Sequence, residues 1–170
     1  MARSIRVTTS LPTPEIAVAD AAAPLLAAMR EALAAARRGL LAGEPPVGAC
    51  VVADGRVIAT AHTAVIAGPD ATAHAEILAL RAACQHARTP SLSGCELYVT
   101  VEPCAMCLAA SHYAGIERVW FGASLDEMQA ITGRELQGAL PPVTRLTGGV
   151  LADECGALLR EWSAARRRPR

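Results

Sequence analysis

The feature that most restricts the fold is the order of β-rich and helical runs, which begins with a hairpin. Residues 47–61, VGACVVADGRVIATA, form two short β-rich runs on either side of Asp54-Gly55, a dipeptide that supplies the positive φ angles of a two-residue turn. Every later strand-like run is separated from the one before it by a helical run. ATAHAEILALRAACQHA places Ile77, Leu80 and Cys84 at helical spacing, with Thr72 near its start. CELYVTV then reads as a strand, CAMCLAASHYAG as a helix closing at Gly115, and ERVWFGA as another strand. Beyond these lie a polar helical stretch from Leu125 to about Leu140, a short strand near Val143–Leu146 and a final helix, ADECGALLREWSAARRR. Strands alternating with helices are covered on both faces, so the class is α/β.

Residues up to about Ala19 read as a polar, proline-containing tail. Asp20 offers a helix cap, Pro24 suits the first turn, and an Ala/Leu-rich run continues to about Ala42 and stops at Gly43. The expected organisation is a tail over 1–19, one domain over 20–166 and a basic tail over 167–170, a size that one core can serve. With 52% hydrophobic residues, 19% charged residues and no net charge, the composition indicates neither disorder nor a whole-chain basic footprint. Only 3% of residues are aromatic, so a stacking platform for single-stranded bases is poorly supplied. The N-terminus reads as neither a signal peptide nor a membrane span. A cytoplasmic chain is expected, with its six cysteines (Cys50, Cys84, Cys95, Cys104, Cys107 and Cys155) reduced.

One strand-like run ends at Glu102-Pro103 against a Cys-x-x-Cys pair, Cys104 and Cys107, that opens a helix. Alone, such a pair fits a disulfide oxidoreductase, half of a zinc site, or two small residues on a helix. The preceding crossover chooses among them, because its helix opens with His74 and Glu76. Helix N-termini carry partial positive charge and unpaired N–H groups, which favour thiolate over thiol. Two thiolates and one neutral imidazole make a three-ligand Zn2+ site whose fourth position stays open for water, the mark of a catalytic zinc. Glu76, too crowded to be a fourth ligand, is placed to take a proton from water and return it to a leaving amine. A thioredoxin-like redox reading leaves the histidine and the glutamate unexplained. Cys50, Cys84, Cys95 and Cys155 read as small apolar packing residues, and His86 and His112 as packing or solvent-facing residues on helices.

The joint pattern, H-x-E followed by P-C-x-x-C, is the signature of zinc-dependent base deaminases. With EPPVGACVV, ATAHAEILALRAAC, LYVTVEPCAMC and FGA, the span from Glu44 to Arg166 resembles the cytidine deaminase-like superfamily, and within it the branch of nucleobase deaminases and tRNA adenosine deaminases. The resemblance implies a three-layer α/β/α fold around a mixed sheet of about five strands. It implies zinc on His74, Cys104 and Cys107, a proton shuttle at Glu76, a backbone N–H contact near Cys104, and a homodimer packed through the second crossover helix. Ala49 and Pro103 are carried over as pocket-wall residues, and His62 as a residue near the pocket.

Substrate choice turns on four further features. The C-terminal GGVLADECGALLREWSAARRR resembles the closing strand and helix of bacterial tRNA adenosine deaminases, and its arginines (Arg160, Arg166, Arg167, Arg168 and Arg170) are candidates for phosphate contacts. Against this, SLDEMQAITGRELQGALPP replaces the Gly/Ala-containing segment and Asn-His pair that those enzymes usually carry after the FGA strand. The spacing after Cys107 is similar to that of bacterial guanine deaminases, which set a second acid over the base at the position of Glu135. Thr63 stands where both branches carry an asparagine that hydrogen-bonds the base, and a hydroxyl does not reproduce an amide's paired donor and acceptor. The expectation is a hydrolytic zinc deaminase of a small amino-heterocycle, a free nucleobase of guanine or cytosine type or its nucleoside. In that reading Glu76 and Glu135 are the acids, and Thr63, Ala49, Pro103 and the Cys104 backbone surround the substrate. Adenosine-to-inosine deamination of tRNA is the alternative, and a zinc-stabilised interaction module without catalysis is the third reading. No membrane partner is expected, and nucleic acid only under the tRNA alternative.

Overall fold

The structure is a computed structural model that describes residues 18–132, with side chains described from 23 to 131. Asp54 and Gly55 take φ angles of 49° and 73°, the left-handed pair that the hairpin turn requires. They join β1 (Gly48–Ala53) to β2 (Arg56–His62) in an antiparallel ladder, with a register shift between Val51 and Val52. β3 (Glu96–Val101) pairs antiparallel with the other side of β1, and β4 (Arg118–Ala123) pairs parallel with β3. The strand order is β2-β1-β3-β4, a mixed sheet as expected. The described residues hold four strands where about five were expected; the run near Val143–Leu146 lies outside them.

Alternation along the strands sorts the core into two layers. Ala49, Val51, Leu97 and Val99 pack against Ala75, Ala79, Leu80 and Ala83 of α2 (Ala75–Ala87). On the opposite face Cys50, Val52 and Tyr98 meet Ala28 and Ala32 of α1 (Val18–Leu41). With α1 below the sheet and α2 and α3 (Ala105–Tyr113) above it, the architecture is α/β/α. The buried side of α1 is all alanine at Ala28, Ala32, Ala35 and Ala36, which lets the helix approach β1 closely. A Cβ on Gly48 would collide with the Ala32 carbonyl oxygen and the Ala36 nitrogen, so glycine is required there.

Helix boundaries depart from the sequence reading in small ways. α1 begins two residues before Asp20 and carries Pro24 inside it; the proline removes one N–H from the ladder near an end. It stops at Leu41, ahead of Gly43 at φ 81°. His74 occupies the N-cap position of α2 without a capping bond from its side chain, and Thr72 does not serve, because its hydroxyl and N–H both donate to Asp70 Oδ1. α4 (Leu125–Thr132) opens with a capping box, in which Glu127 N–H donates to Ser124 Oγ and Ser124 N–H donates to Glu127 Oε2. The remainder of the polar stretch to Leu140, the final helix, its arginines, Cys155 and Glu135 lie outside the described residues, as does the tail up to residue 17. Among the described residues no helix is long and apolar enough to cross a membrane.

Candidate active site

The site begins at one end of the sheet. Gly48 opens β1 opposite His62, the last residue of β2, and its N–H donates to Thr100 Oγ1 near the end of β3 at 3.1 Å. The chain segments that leave β2 and β3 therefore emerge together, one leading to α2 and the other to α3.

His74 and Cys104 occupy the N-cap positions of those helices, with extended backbones (φ −69°, ψ 152° and φ −70°, ψ 169°) and no capping bond from either side chain. Released from capping, the two side chains meet. His74 Nδ1 lies 3.7 Å from Cys104 Sγ and 3.5 Å from Cys107 Sγ, and Cys107 shares a helix face with Cys104 at i+3. Tetrahedral zinc with Zn–S of about 2.3 Å and Zn–N of about 2.05 Å sets N and S about 3.6 Å apart. The three ligand atoms, all within 4.8 Å of one another, fit a single zinc ion.

The charges fit as well. Hydrogen bonds from the Cys107 thiol and from His74 hold the Cys104 thiol down to about 3. Cys107 is pushed up, first by its bond to Cys104, then by burial and by the nearby Glu76 carboxyl. The site thus carries one thiolate readily and opposes a second, a conflict that a dication removes. His74 is shifted up by its bond to Cys104. Glu76, 3% exposed in the first turn of α2, is pushed up by burial against smaller opposing effects of a backbone N–H and the Cys107 thiol. A carboxyl shifted in that direction is suited to exchange protons near neutral pH.

Of the expected substrate residues, Thr63 is 5% exposed and lies directly after β2, its N–H donating to the Val47 carbonyl at 3.0 Å. Ala49 is buried in the layer under α2, and Pro103 is buried beside Cys104. His62 packs over Gly39 of α1, with Nδ1 2.7 Å from the Thr63 carbonyl oxygen. The five described cysteines are free thiols. Cys50 behaves as a packing residue: it is buried, donates to the Ala28 carbonyl oxygen and is pushed up to about 12 by burial.

One residue near the site went unassigned in the sequence reading. Glu44 is 4% exposed, and its carboxylate accepts hydrogen bonds from the Ile66 N–H (3.0 and 3.1 Å) and the Ala67 N–H (2.7 Å). Burial acts to raise its pKa, but the bonds from Ala67, Ile66 and Val65 outweigh it and hold the carboxyl below its ordinary range. The signal was a lone carboxylate set immediately before Pro45-Pro46 and an apolar strand.

A profile of the cytidine and deoxycytidylate deaminase zinc-binding region matches residues 24–123. A tRNA(Ile)-lysidine synthase of Deinococcus deserti is 44% identical over 137 residues, 79% of this chain and 26% of the synthase. The chain thus spans about a quarter of that relative's length. A tRNA-specific adenosine deaminase of Haemophilus influenzae is 39% identical over 143 residues, 82% of this chain and 83% of that enzyme. Among solved structures, the guanine deaminase of Bacillus subtilis superposes with a TM-score of 0.71 at 28% identity, covering 85% of this chain and 97% of that one. The chain therefore belongs to the cytidine and deoxycytidylate deaminase zinc-binding family.

Proposed function

We propose that the chain is a zinc-dependent hydrolytic deaminase whose substrate is an adenosine held within tRNA. The observation that carries this reading is the 39% identity across 83% of a tRNA-specific adenosine deaminase, against 28% and 32% with guanine deaminases of known structure. A free base of guanine type is the second reading, favoured by the 97% coverage of the Bacillus subtilis guanine deaminase in the superposition.

In the proposed reaction His74, Cys104 and Cys107 would hold a zinc ion, which would supply a Lewis acid able to make water nucleophilic near neutral pH. Glu76 accepts a proton from the attacking water and passes it to the adjacent ring nitrogen, then carries the remaining hydroxyl proton to the amino group, which leaves as ammonia while the ring carbon keeps a carbonyl oxygen. The first-turn N–H groups of α3, beside Cys104, are donors for oxygen charge that develops at that carbon. Thr63 lies against the base edge and offers one hydroxyl, while Ala49 and Pro103 bound the apolar wall. Glu135 as a second acid stays with the guanine-type reading.

The discriminating experiment measures inosine formation in tRNA beside ammonia release from guanine, cytosine and adenosine. Turnover of tRNA is expected, falling steeply with added salt because phosphate contacts release counterions. Salt-indifferent turnover of guanine with none of tRNA would reverse the choice. Thr63→Asn should shift activity between bases by about 5- to 150-fold, the worth of about 1–3 kcal/mol for a buried polar group.

A further inference from the structure

The connection from β2 to α2 carries Thr63 at one end and His74 at the other. Hydrogen bonds close it near both ends: Ala64 N–H to the Ala73 carbonyl (2.9 Å), Ala73 N–H to the Asp70 carbonyl (3.0 Å) and His74 N–H to the Thr72 carbonyl (2.8 Å). Its middle, at Ile66 and Ala67, is held by the Glu44 carboxylate. Glu44 is itself anchored, because its N–H donates to the Gly39 carbonyl at the end of α1 at 2.9 Å. A carboxylate this buried is expensive to keep unless its bonds are used, and among the described residues it makes no ion pair.

We propose that Glu44 is a positioning residue of the metal site, which ties the Thr63–His74 connection to the end of α1 and so sets the residue proposed against the base and the residue proposed as zinc ligand together. It acts through the connection: Glu44 holds Ile66 and Ala67, the Ala64–Ala73 bond closes the connection at its base, and Thr63 and His74 adjoin that bond on either side. Partners that hydrogen-bond a metal ligand directly contribute a factor of about 10–100 to metal affinity, which bounds what support relayed through the connection contributes.

Two measurements on the full chain test this, and neither needs a substrate, so their outcome is independent of the choice between tRNA and a free base. The first follows zinc release to a chromophoric chelator from wild type, Glu44→Gln and Glu44→Ala, at a temperature where each is folded. Glutamine keeps the shape and the one acceptor that both N–H groups reach, but turns a donor towards the Ile66 N–H in place of the second oxygen. Release should be about tenfold faster in Glu44→Gln and up to about 100-fold faster in Glu44→Ala. Release within twofold of wild type alongside a lowered Tm would make Glu44 a fold-stabilising residue only and overturn the assignment. The second uses wild type alone and stands even where the variants do not fold. Amide exchange at Ile66 and Ala67 should quicken when zinc is stripped, by more than that of amides in α1, because a tie that favours zinc is favoured by zinc in equal measure; exchange at Ile66 and Ala67 that changes no more than in α1 overturns the assignment.

Discussion

Replacing Glu76 by glutamine separates two consequences of one buried carboxyl. The side chain is 3% exposed, and burial is the largest influence on it, pushing its pKa up. Glutamine keeps its volume and can accept the Cys107 hydrogen bond, but it cannot take up or return a proton. Turnover should therefore fall by about 10²- to 10⁴-fold, the range for a positioned general acid–base. Stability of the zinc-free protein should move the other way. A carboxyl whose folded pKa is raised favours the folded state below its unfolded value, and that advantage is lost as pH rises from the ordinary carboxylate range through the raised value. The variant lacks this loss, so it should match wild type near pH 4 and exceed it at pH 7. Leaving a buried charge short of partners costs about 1–3 kcal/mol, and a chain of this size moves by about 2–4 °C per kcal/mol. The assays are ammonia release on the zinc-loaded pair, metal content, and thermal scans of the zinc-free pair at both pH values. A variant that keeps more than about a tenth of the wild-type rate would refute the proton-transfer role. Zinc-free variant protein that melts no higher than wild type at pH 7 would refute the burial reasoning.

Gly48→Ala should destabilise the fold by at least about 1–3 kcal/mol in denaturant titrations, since the new methyl meets backbone atoms of α1 that cannot step aside singly; an unchanged midpoint would show that α1 does not sit so close. In zinc-free protein Cys104, held near 3, should alkylate at a rate nearly independent of pH between about 5 and 8, with zinc protecting it. A rate climbing about tenfold per pH unit would mark an ordinary thiol. The exposed apolar residues of α3, Leu108 at 49% and Tyr113 at 87%, should mediate a homodimer, seen by light scattering at micromolar concentration and lost in Leu108→Asp. A monomer mass for the wild type would exclude it.

The hairpin and the alternation of strand and helix were legible because they rest on local chemistry: Asp54-Gly55 has few alternatives to its turn, and the apolar spacing of Leu97 and Val99 assigns their face directly. The clustering of His74, Cys104 and Cys107 was legible for a different reason, since they carry a spacing that packing alone does not ask for. Glu44 was not legible, because its partners are backbone N–H groups, which have no side-chain identity to betray them. The same holds for the start of α2, where Asp70 captured Thr72 and left the N-cap position to His74. Ser124 and Glu127 did carry the capping-box spacing, a signal that reading for apolar periodicity passes over.

The chemical groups close on themselves within a short length of chain. From Glu44, in the connection between α1 and β1 and proposed to position the site, to Cys107, each group given a part in metal holding or proton transfer lies within residues 44–107, with His74 and Glu76 at the start of α2 and Cys104 and Cys107 at the start of α3. Such a cassette can be carried inside a longer polypeptide without losing a working part, and a synthase nearly four times the matched length holds its counterpart. Chain beyond β4 is then free to diverge under selection for what is brought to the metal. The segment after Ala123, which lies beyond the zinc-binding region matched over residues 24–123, is where a change of client would be written first.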